Sequence, residues 1–385
     1  MLAIAAGVRD ADGAVPCQRL EGRPALQAGR AACILGWLNA AEAIEIARDW
    51  VARYAAGDPG FRAAHLMGGI TRMAADDELP ADSDLDLMLL VDRPMTSKDP
   101  IDELYRGVAI EAGLRGIDGY DTAEKILANP EAADHIAMGG IISDLTGLLT
   151  DLQPTVAREF SRRRWVTARC DEQKRRYEMC LTAATATQVP VECMLQLMLA
   201  MHNLASLLSV ALVVPPTHRK FFIQLREQAA AIGRPELAEA ALAAFGSAGM
   251  TQMQVMMYAE LAAEAFDRAL VVKRTPAPFD FKLRPHLRPY TVEWPQRMLQ
   301  RGEHREVMPW IAAGLAVSTI VLLNDAPEGE RPGHAAQLQD MLHDLGYGTS
   351  AARSERLERA TVFAKSMYVV ADEVVASRPE ELVPA

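Results

Sequence analysis

Two aspartates spaced i, i+2 are the residues of this chain that are best suited to chemistry. They are Asp84 and Asp86, and a strongly apolar run follows them up to residue 91. Successive side chains of a strand face opposite sides of a sheet, so these two carboxylates point the same way while Leu85 and Leu87 point into a core. Adjacent carboxylates repel each other unless a cation lies between them. The spacing therefore predicts a divalent metal site at the start of a strand.

A glycine pair, Gly68 and Gly69, comes shortly before the aspartates. Glycine lets an anion approach the backbone closely, and free N–H groups at the start of a helix favour negative charge. Taken alone, the glycine pair is typical of an ordinary turn, and the aspartates are typical of a strand that enters from solvent. Together they favour a metal site next to a phosphate-binding turn.

In this order the residues resemble the signature of the DNA polymerase β-like nucleotidyltransferase superfamily. That signature is a hydrophobic residue, a glycine, a glycine or serine, a loop, and then Asp-hydrophobic-Asp-hydrophobic. Here it is Met67, Gly68 and Gly69, followed by Asp84 and Asp86 with leucines between and after them. The resemblance covers roughly residues 64–114. It is closest to the SDxD form of bacterial antibiotic nucleotidyltransferases of the aminoglycoside type, because Ser83 precedes Asp84.

The loop of this chain departs from the pattern of the family. Fourteen residues separate Gly69 from Asp84, slightly more than is usual. An alternative pair, Asp82 and Asp84, would shorten the loop, but Ser83 would then occupy an apolar position. The pair Asp84 and Asp86 is therefore preferred.

The resemblance implies a metal-dependent transfer of a nucleoside monophosphate from an NTP, ATP by default. Asp84 and Asp86 would bind Mg²⁺, or Mn²⁺, while an acceptor oxygen attacks the α-phosphorus and pyrophosphate leaves. Gly68, Gly69 and Ser83 would contact the nucleotide.

The family usually adds a third carboxylate from a neighbouring strand, and Glu111 is the one suitably placed candidate. It would be a metal ligand or the base that takes the proton of the acceptor hydroxyl. A solvent-facing acid on an edge strand is an equally good interpretation of Glu111 from the sequence alone.

A triphosphate also needs cations, and a basic run lies between residues 158 and 176. Its members are Arg158, Arg162, Arg163, Arg164, Arg169, Lys174, Arg175 and Arg176. Such a run is usually a solvated helix face. The resemblance implies that one or two of them reach the β- and γ-phosphates across a cleft between two domains.

The acidity of the chain is confined to its first part. Residues 1–150 carry 24 acidic and 13 basic residues, whereas residues 151–385 carry 27 of each. Nucleic-acid binding requires clustered basic residues, so the first part is a poor partner for nucleic acid. Its charge suits metal ions and a cationic small substrate, although acidity for solubility alone explains it too.

The bulk composition indicates a soluble cytoplasmic protein. The five cysteines form no CxxC pair, which is typical of thiols in a reducing compartment. No targeting segment is recognisable, and the apolar run 194–214 contains several polar residues, which favours a buried helix over a membrane span.

At 385 residues the chain is long enough for two domains. We expect an α+β architecture: an N-terminal arm over 1–24, a small mixed-sheet nucleotidyltransferase domain over 25–150, and an all-α helical domain over 151–385.

Hydrophobic periodicity predicts the individual elements. Strands are expected at 61–67, 84–91 and 108–114, with a final edge strand after Gly140. Helices are expected at 25–56, 101–106, 121–127, 153–187, 191–213, 217–231, 235–245, 250–270, 303–323, 333–345 and 353–377. The proline-rich segment 274–295 is predicted to cross the surface as an ordered loop.

The functional prediction is therefore a metal-dependent nucleotidyltransferase whose partners are an NTP and a small-molecule acceptor, with no nucleic acid and no membrane. The acceptor hydroxyl would belong to a sugar-like or cationic compound. Two alternatives stay open: an enzyme that AMPylates protein side chains, and a non-catalytic protein that binds nucleotides or partners.

Overall fold

The structure is a computed structural model that describes residues 38–80, 82–95 and 101–378. The predicted N-terminal arm lies outside these ranges, and so does the part of the predicted helix 25–56 that precedes residue 38. Within them, a five-stranded sheet in the first part of the chain is followed by a helical part. The predicted α+β class is confirmed, whereas the division into domains stays a prediction.

The sheet is mixed, with the strand order β3-β4-β2-β1-β5. Strands β2 and β4 pair in parallel, and the other neighbours pair antiparallel. The strands are β1 (Phe61–Leu66), β2 (Leu85–Val91), β3 (Ile101–Tyr105), β4 (Val108–Gly116) and β5 (Ile141–Asp144). Strands β1, β2, β4 and β5 confirm the predicted strands.

The segment 101–106 is not the predicted short helix, because Ile101–Tyr105 forms the edge strand β3. It pairs antiparallel with β4, with Asp102 opposite Glu111. The indole Nε1 of Trp50 donates to Glu103 at 2.9 Å, which ties the strand to the first helix. Pairing with a neighbouring strand outweighs the weak helical pattern of these few residues.

Thirteen α-helices accompany the sheet in the described ranges. They are α1 (Ala40–Gly57), α2 (Ala123–Ala128), α3 (Ala133–Ala137), α4 (Leu148–Glu159), α5 (Arg163–Ala186), α6 (Pro190–Ala211), α7 (Phe221–Ala231), α8 (Glu236–Phe245), α9 (Gln252–Val272), α10 (Trp294–Gln300), α11 (His304–Asp325), α12 (Arg331–Asp344) and α13 (Ser350–Ala376). Helix α10 was not predicted.

Side-chain caps fix where several of the described helices begin, among them α1 and α2. Asn39 and Glu42 form a capping box in which each side chain accepts a hydrogen bond from the backbone N–H of the other, so α1 begins at Ala40. Thr122 caps α2, so this helix begins at Ala123, two residues after the predicted start at residue 121. Asp121 instead forms an ion pair with a lysine one turn later.

The predicted helix over 153–187 is two helices, because the chain turns between Glu159 and Arg163. Phe160 is buried at this turn, and Arg169 donates to its backbone carbonyl at 2.7 Å. The guanidinium therefore satisfies a carbonyl at the end of α4. The predicted domain division at 150/151 falls inside α4.

Three hydrophobic cores hold the elements together. The first lies between α1 and one face of the sheet, and the second lies between the other face and α2, α3 and α4. The third fills the helical part. Helices α6 and α11 are long and apolar enough to span a membrane by length and composition alone, but 94% and 78% of their apolar windows are buried in the protein. Buried core helices have this composition too.

Candidate active site

The parallel pairing of β2 and β4 brings three acidic side chains together. Asp86 lies directly opposite Glu111 in the register, and Asp84 immediately precedes β2. One oxygen from each of these three carboxylates lies within 4.8 Å of the other two. The predicted spacing i, i+2 thus places Asp84 and Asp86 on one side of the strand, and β4 adds Glu111 from the next strand.

The electrostatics of this acidic cluster disfavour ionisation of all three carboxyl groups at once. Burial raises the pKa of Asp84 to about 6, against the opposing effect of Lys282. The pKa of Asp86 is also raised well above its ordinary range, by burial and then by the charges of Asp84 and Glu111. Each carboxylate therefore raises the free energy of ionising the next one.

The cluster fits a divalent cation. Hard cations such as Mg²⁺ prefer carboxylate oxygens, and three converging carboxylates supply them. The Oδ2 atom of Asp84 is buried and has no hydrogen-bond partner among the described residues. A buried carboxylate oxygen without a partner carries a desolvation cost that a bound cation would offset. Asp84, Asp86 and Glu111 are therefore the residues that could hold the metal.

The glycine pair forms a tight turn beside the same cluster. Gly68 adopts φ +69°, a conformation that favours glycine, and a Cβ atom placed on it would lie 2.9 Å from Oδ2 of Asp86. The backbone N–H of Met67 donates to the Asp86 carbonyl at 2.8 Å, which holds the turn against β2. A Cβ placed on Gly69 would meet nothing within 4 Å, so the turn is open on that side.

The loop before β2 is held by the helical part of the chain. Arg219 donates to the Asp82 carbonyl at 2.8 Å, and Arg297 forms an ion pair with the Asp82 carboxylate. Asp82 is thus paired with arginines and is not part of the acidic cluster, which favours the pair Asp84 and Asp86. Ser83, a predicted nucleotide contact, lies between Asp82 and Asp84, and its backbone N–H donates to the Pro80 carbonyl at 2.8 Å.

A lysine distant in sequence completes the cluster. The ammonium of Lys282 forms an ion pair with Glu111. Burial would lower the pKa of Lys282, but the charges of Glu111 and Asp84 outweigh it, so the pKa is raised. For Glu111 burial would raise the pKa, but the ion pair outweighs it and the pKa is lowered. Lys282 and Glu111 are therefore both charged in this ion pair.

Lys282 belongs to the proline-rich segment 274–295, which packs against the site more closely than predicted. The segment forms short turns at Asp280–Lys282 and Pro285–Leu287 and one π-helical turn at Pro289–Glu293. His286 Nε2 lies 2.5 Å from Asp102 Oδ1 on β3. The segment therefore contacts both β3 and β4 where the acidic side chains lie.

A second cation, Arg219, approaches the cluster from the turn before α7. Its guanidinium lies over two aromatic rings, 4.1 Å from the centroid of Tyr290 and 4.9 Å from that of Trp294. Such cation–π contacts help to fix the guanidinium in place, and it also lies 3.7 Å from the Asp82 carboxylate. Burial raises the pKa of Tyr290, and the charge of Asp84 contributes, which places this ring near the carboxylates.

The basic run 158–176 does not supply these cations. Arg169 donates to two backbone carbonyls, and Arg176 forms ion pairs with Glu131 and Glu172. The other six members of the run are each engaged with an acid or a carbonyl of their own neighbourhood. In the described ranges the cations near the carboxylates are thus Lys282 and Arg219. A basic and aromatic composition in segment 274–295 was the available sequence signal for Lys282.

Comparison with known proteins adds little to this geometry. No protein-family model matches the chain, and no curated protein sequence matches it. Among solved structures, the chain is similar to a nucleotidyltransferase-like protein from Exiguobacterium sibiricum 255-15. The two are 13% identical, the similarity covers 79% of this chain and 89% of that one, and the TM-score is 0.26. A TM-score this low does not support assigning the function of that protein to this chain.

Proposed function

We propose that the protein is a metal-dependent nucleotidyltransferase that moves a nucleoside monophosphate from an NTP to a hydroxyl group. The observation that carries the proposal is the acidic cluster, in which oxygens of Asp84, Asp86 and Glu111 lie within 4.8 Å of one another on adjacent strands. The glycine turn at Gly68 lies against the Asp86 carboxylate of this cluster and is open on the Gly69 side. A metal site beside an open glycine turn is suited to binding a triphosphate.

Each residue has a defined part in the proposed transfer. Asp84 and Asp86 would hold the cation, and a cation bound there would offset phosphate charge and polarise the phosphorus centre. The backbone N–H groups after Gly68 donate hydrogen bonds to phosphate oxygens. Glu111 is a further ligand or the base that takes the acceptor proton. Lys282 and Arg219 offset negative charge at the same place.

The bonds of the transfer balance without any further reactant. The acceptor O–H bond breaks, and its proton goes to a carboxylate of the site or to water. A bond forms between the acceptor oxygen and the α-phosphorus, and the bond from this phosphorus to pyrophosphate breaks. The donor is an NTP, ATP by default, and Mg²⁺ or Mn²⁺ is the cation. The acidic balance of residues 1–150 supports a small acceptor over nucleic acid.

Pyrophosphate release tests the proposal directly. We expect wild-type protein, incubated with α-labelled ATP, Mg²⁺ and a small-molecule extract, to release pyrophosphate and to label a compound of the extract. Asp86→Asn removes one ligand charge and should reduce release by about 10²-fold or more, as expected for loss of a group that stabilises transition-state charge. Asp92→Asn is the matched control, because Asp92 directly follows the same strand, is 66% exposed, and pairs with Arg62 outside the cluster.

Two results would contradict the proposal: absence of ATP binding by wild-type protein, and equal turnover by Asp86→Asn and Asp92→Asn. Label on protein in a whole lysate, in place of the extract, would assign a protein side chain as the acceptor.

A further inference from the structure

One side of the acidic cluster is paired with a cation of the protein itself. The ammonium of Lys282 forms an ion pair with Oε2 of Glu111 on β4. Both side chains are largely buried, and 15% of each is exposed. Salt and water screen a pair in such a position much less than a pair on the surface. Glu111 therefore has a strongly held cationic partner within the chain.

The segment that carries Lys282 is anchored on both sides of this residue. Before it, the Asp325 carboxylate at the end of α11 accepts hydrogen bonds from the backbone N–H of Thr275 at 2.7 Å and from its hydroxyl at 2.6 Å. After it, His286 Nε2 lies 2.5 Å from Asp102 Oδ1 on β3. The packing of the segment, as well as the ion pair, therefore holds the ammonium at the cluster.

The other side of the cluster has no such cation. Oδ2 of Asp84 is buried and has no hydrogen-bond partner in the part of the chain that the structure describes. Oδ2 of Asp86 lies 2.9 Å from a Cβ atom placed on Gly68, so this carboxylate faces the glycine turn. Strand β2 lies between β1, which leads into that turn, and β4, which carries Glu111. The cluster thus has a glycine-turn side, where a carboxylate oxygen lacks a partner, and a β4 side, where Lys282 is the partner.

The charges of the cluster balance with one divalent cation. Three carboxylates and one ammonium carry a net charge of −2. Two neighbouring acids are left out of this charge, because each has a basic partner of its own. They are Asp82, which pairs with Arg219 and Arg297, and Asp102, which pairs with His286. A single Mg²⁺ or Mn²⁺ would neutralise the cluster, whereas a second one would repel the ammonium.

The dimensions of the cluster alone would allow two metal ions. Two-metal sites for phosphoryl transfer hold their ions about 3.5–4 Å apart. Oxygens of the three carboxylates, which all lie within 4.8 Å of one another, are close enough to hold such a pair. A second ion would need Glu111, however, and the Lys282 ammonium already lies there.

We propose that Lys282 takes the place of a second metal ion, so that the site uses one divalent cation, held by Asp84 and Asp86. The inference rests on the proposed nucleotidyl transfer and states how many metal ions that transfer needs. The ammonium supplies positive charge and N–H donors at the Glu111 end of the cluster. Fixed donors and charges of this kind stabilise the negative charge that develops on a transferring phosphoryl group.

The number of bound metal ions tests the proposal. Equilibrium dialysis with Mn²⁺ and α,β-methylene-ATP, which is not cleaved at the α-phosphorus, gives the ratio of bound Mn²⁺ to bound nucleotide. We expect a ratio of one for the wild type and of two for Lys282→Met, because loss of the ammonium leaves Glu111 available to a second ion. Lys365→Met, at an exposed position of α13, is the matched control and should keep a ratio of one.

The electron paramagnetic resonance spectrum of bound Mn²⁺ gives a second measurement, because an isolated ion and a spin-coupled pair of ions have different spectra. Lys282→Arg keeps the positive charge and should retain the spectrum of an isolated ion, whereas Lys282→Met should show the coupled pair. The double variant Lys282→Met/Glu111→Gln loses the carboxylate together with the ammonium and should return to one ion. It also serves in case Lys282→Met fails to fold, and circular dichroism checks the folding of all variants.

The outcomes separate this proposal from the proposed function. A ratio of two or a coupled spectrum in the wild type would overturn the role of Lys282 and leave a two-metal nucleotidyltransferase. A ratio of one in folded Lys282→Met, or of two in the double variant, would overturn it as well. Absence of both Mn²⁺ and nucleotide binding by the wild type would contradict the proposed function and this inference together.

Discussion

Two partly buried groups of charged side chains lie in the first part of the molecule, and they differ in charge balance. Around Glu131, two guanidiniums surround one carboxylate: Arg115 at 3.2 Å and Arg176 at 2.5 Å. Burial would raise the pKa of Glu131, but these arginines outweigh it, and the pKa is lowered. In the acidic cluster, three carboxylates share the ammonium of Lys282, and the pKa values of two of them are raised.

The difference separates a group of charges that is neutralised within the protein from one that could hold a metal ion. A buried charge is tolerated when partners neutralise it, and the Glu131 group meets that condition within the protein. The acidic cluster leaves an excess of negative charge that a metal ion can neutralise. Burial of an acid therefore does not by itself indicate function, whereas a surplus of like charge with a buried oxygen left unpaired does.

Metal binding should show the largest contrast between the two groups. We expect Asp86→Asn to weaken Mn²⁺ binding by about 100-fold or more, since even groups that only orient metal ligands contribute 10–100-fold. Glu131→Gln should leave the affinity unchanged, because its carboxylate lies in the neutralised group. Titration calorimetry or the electron paramagnetic resonance signal of free Mn²⁺ measures both. A comparable loss of Mn²⁺ affinity in both variants would show that the acidic cluster and the Glu131 group do not differ in metal binding.

Stability should show the opposite contrast. Glu131→Gln leaves Arg115 without its carboxylate and Arg176 with Glu172 as its remaining acidic partner, and we expect the free energy of unfolding to fall by about 3 kcal/mol. Asp86→Asn removes a repelled charge and should not lower it. Urea unfolding at neutral pH without metal compares the two variants with the wild type. A lower free energy of unfolding for Asp86→Asn would contradict the view that the acidic cluster carries surplus negative charge.

Lys282 should matter most when no metal is bound. Lys282→Met removes the one ammonium of the cluster, and we expect a loss of about 2 kcal/mol in the free energy of unfolding at pH 8 without metal. Mg²⁺ should then raise the melting temperature of this variant more than that of the wild type. Lys365→Met, at an exposed position of α13, is the control. An equal Mg²⁺ effect in all three proteins would contradict this role.

The pH dependence of stability should carry the smallest of these effects. A pKa of about 6 for Asp84 in the folded protein, above its ordinary value of 3.8, means that the folded state binds more protons than the unfolded state between about pH 4 and 6. The metal-free protein should therefore become less stable as the pH rises through this window. Asp84→Asn should flatten that part of the curve, and an unchanged slope in urea titrations would contradict the assignment.

Short-range patterns in the sequence predicted the glycine turn and the two aspartates of the site, whereas Glu111 was expected from the family resemblance and had an equally good interpretation as an edge-strand acid. The glycine pair, the i, i+2 aspartates and the third carboxylate lie within about fifty residues, and strand periodicity determines which way their side chains point. Strand β3 was predicted as a helix, since two adjacent acids conceal its alternation and only pairing with β4 makes it a strand.

The cations could not be predicted in the same way. Lys282 is 171 residues from Glu111, and Arg219 is 137 residues from Asp82, so their positions depend on how the helical part packs on the sheet. The basic run 158–176 was the nearest supply of charge along the chain, but Arg176 belongs to the neutralised group around Glu131. Proximity in sequence was a poor guide because ion pairs form between neighbours in space.

The close approach of Gly68 to Asp86 has a consequence for how such chains diverge. Any side chain at position 68 would need a strained backbone and would also displace the Asp86 carboxylate, whose Oδ2 lies 2.9 Å from a Cβ placed there. A relative that has lost this glycine has little use for the aspartate, and one that has lost the aspartate is released from the need for glycine. The two positions should accordingly co-vary, changing together in inactive lineages and staying fixed together in active ones.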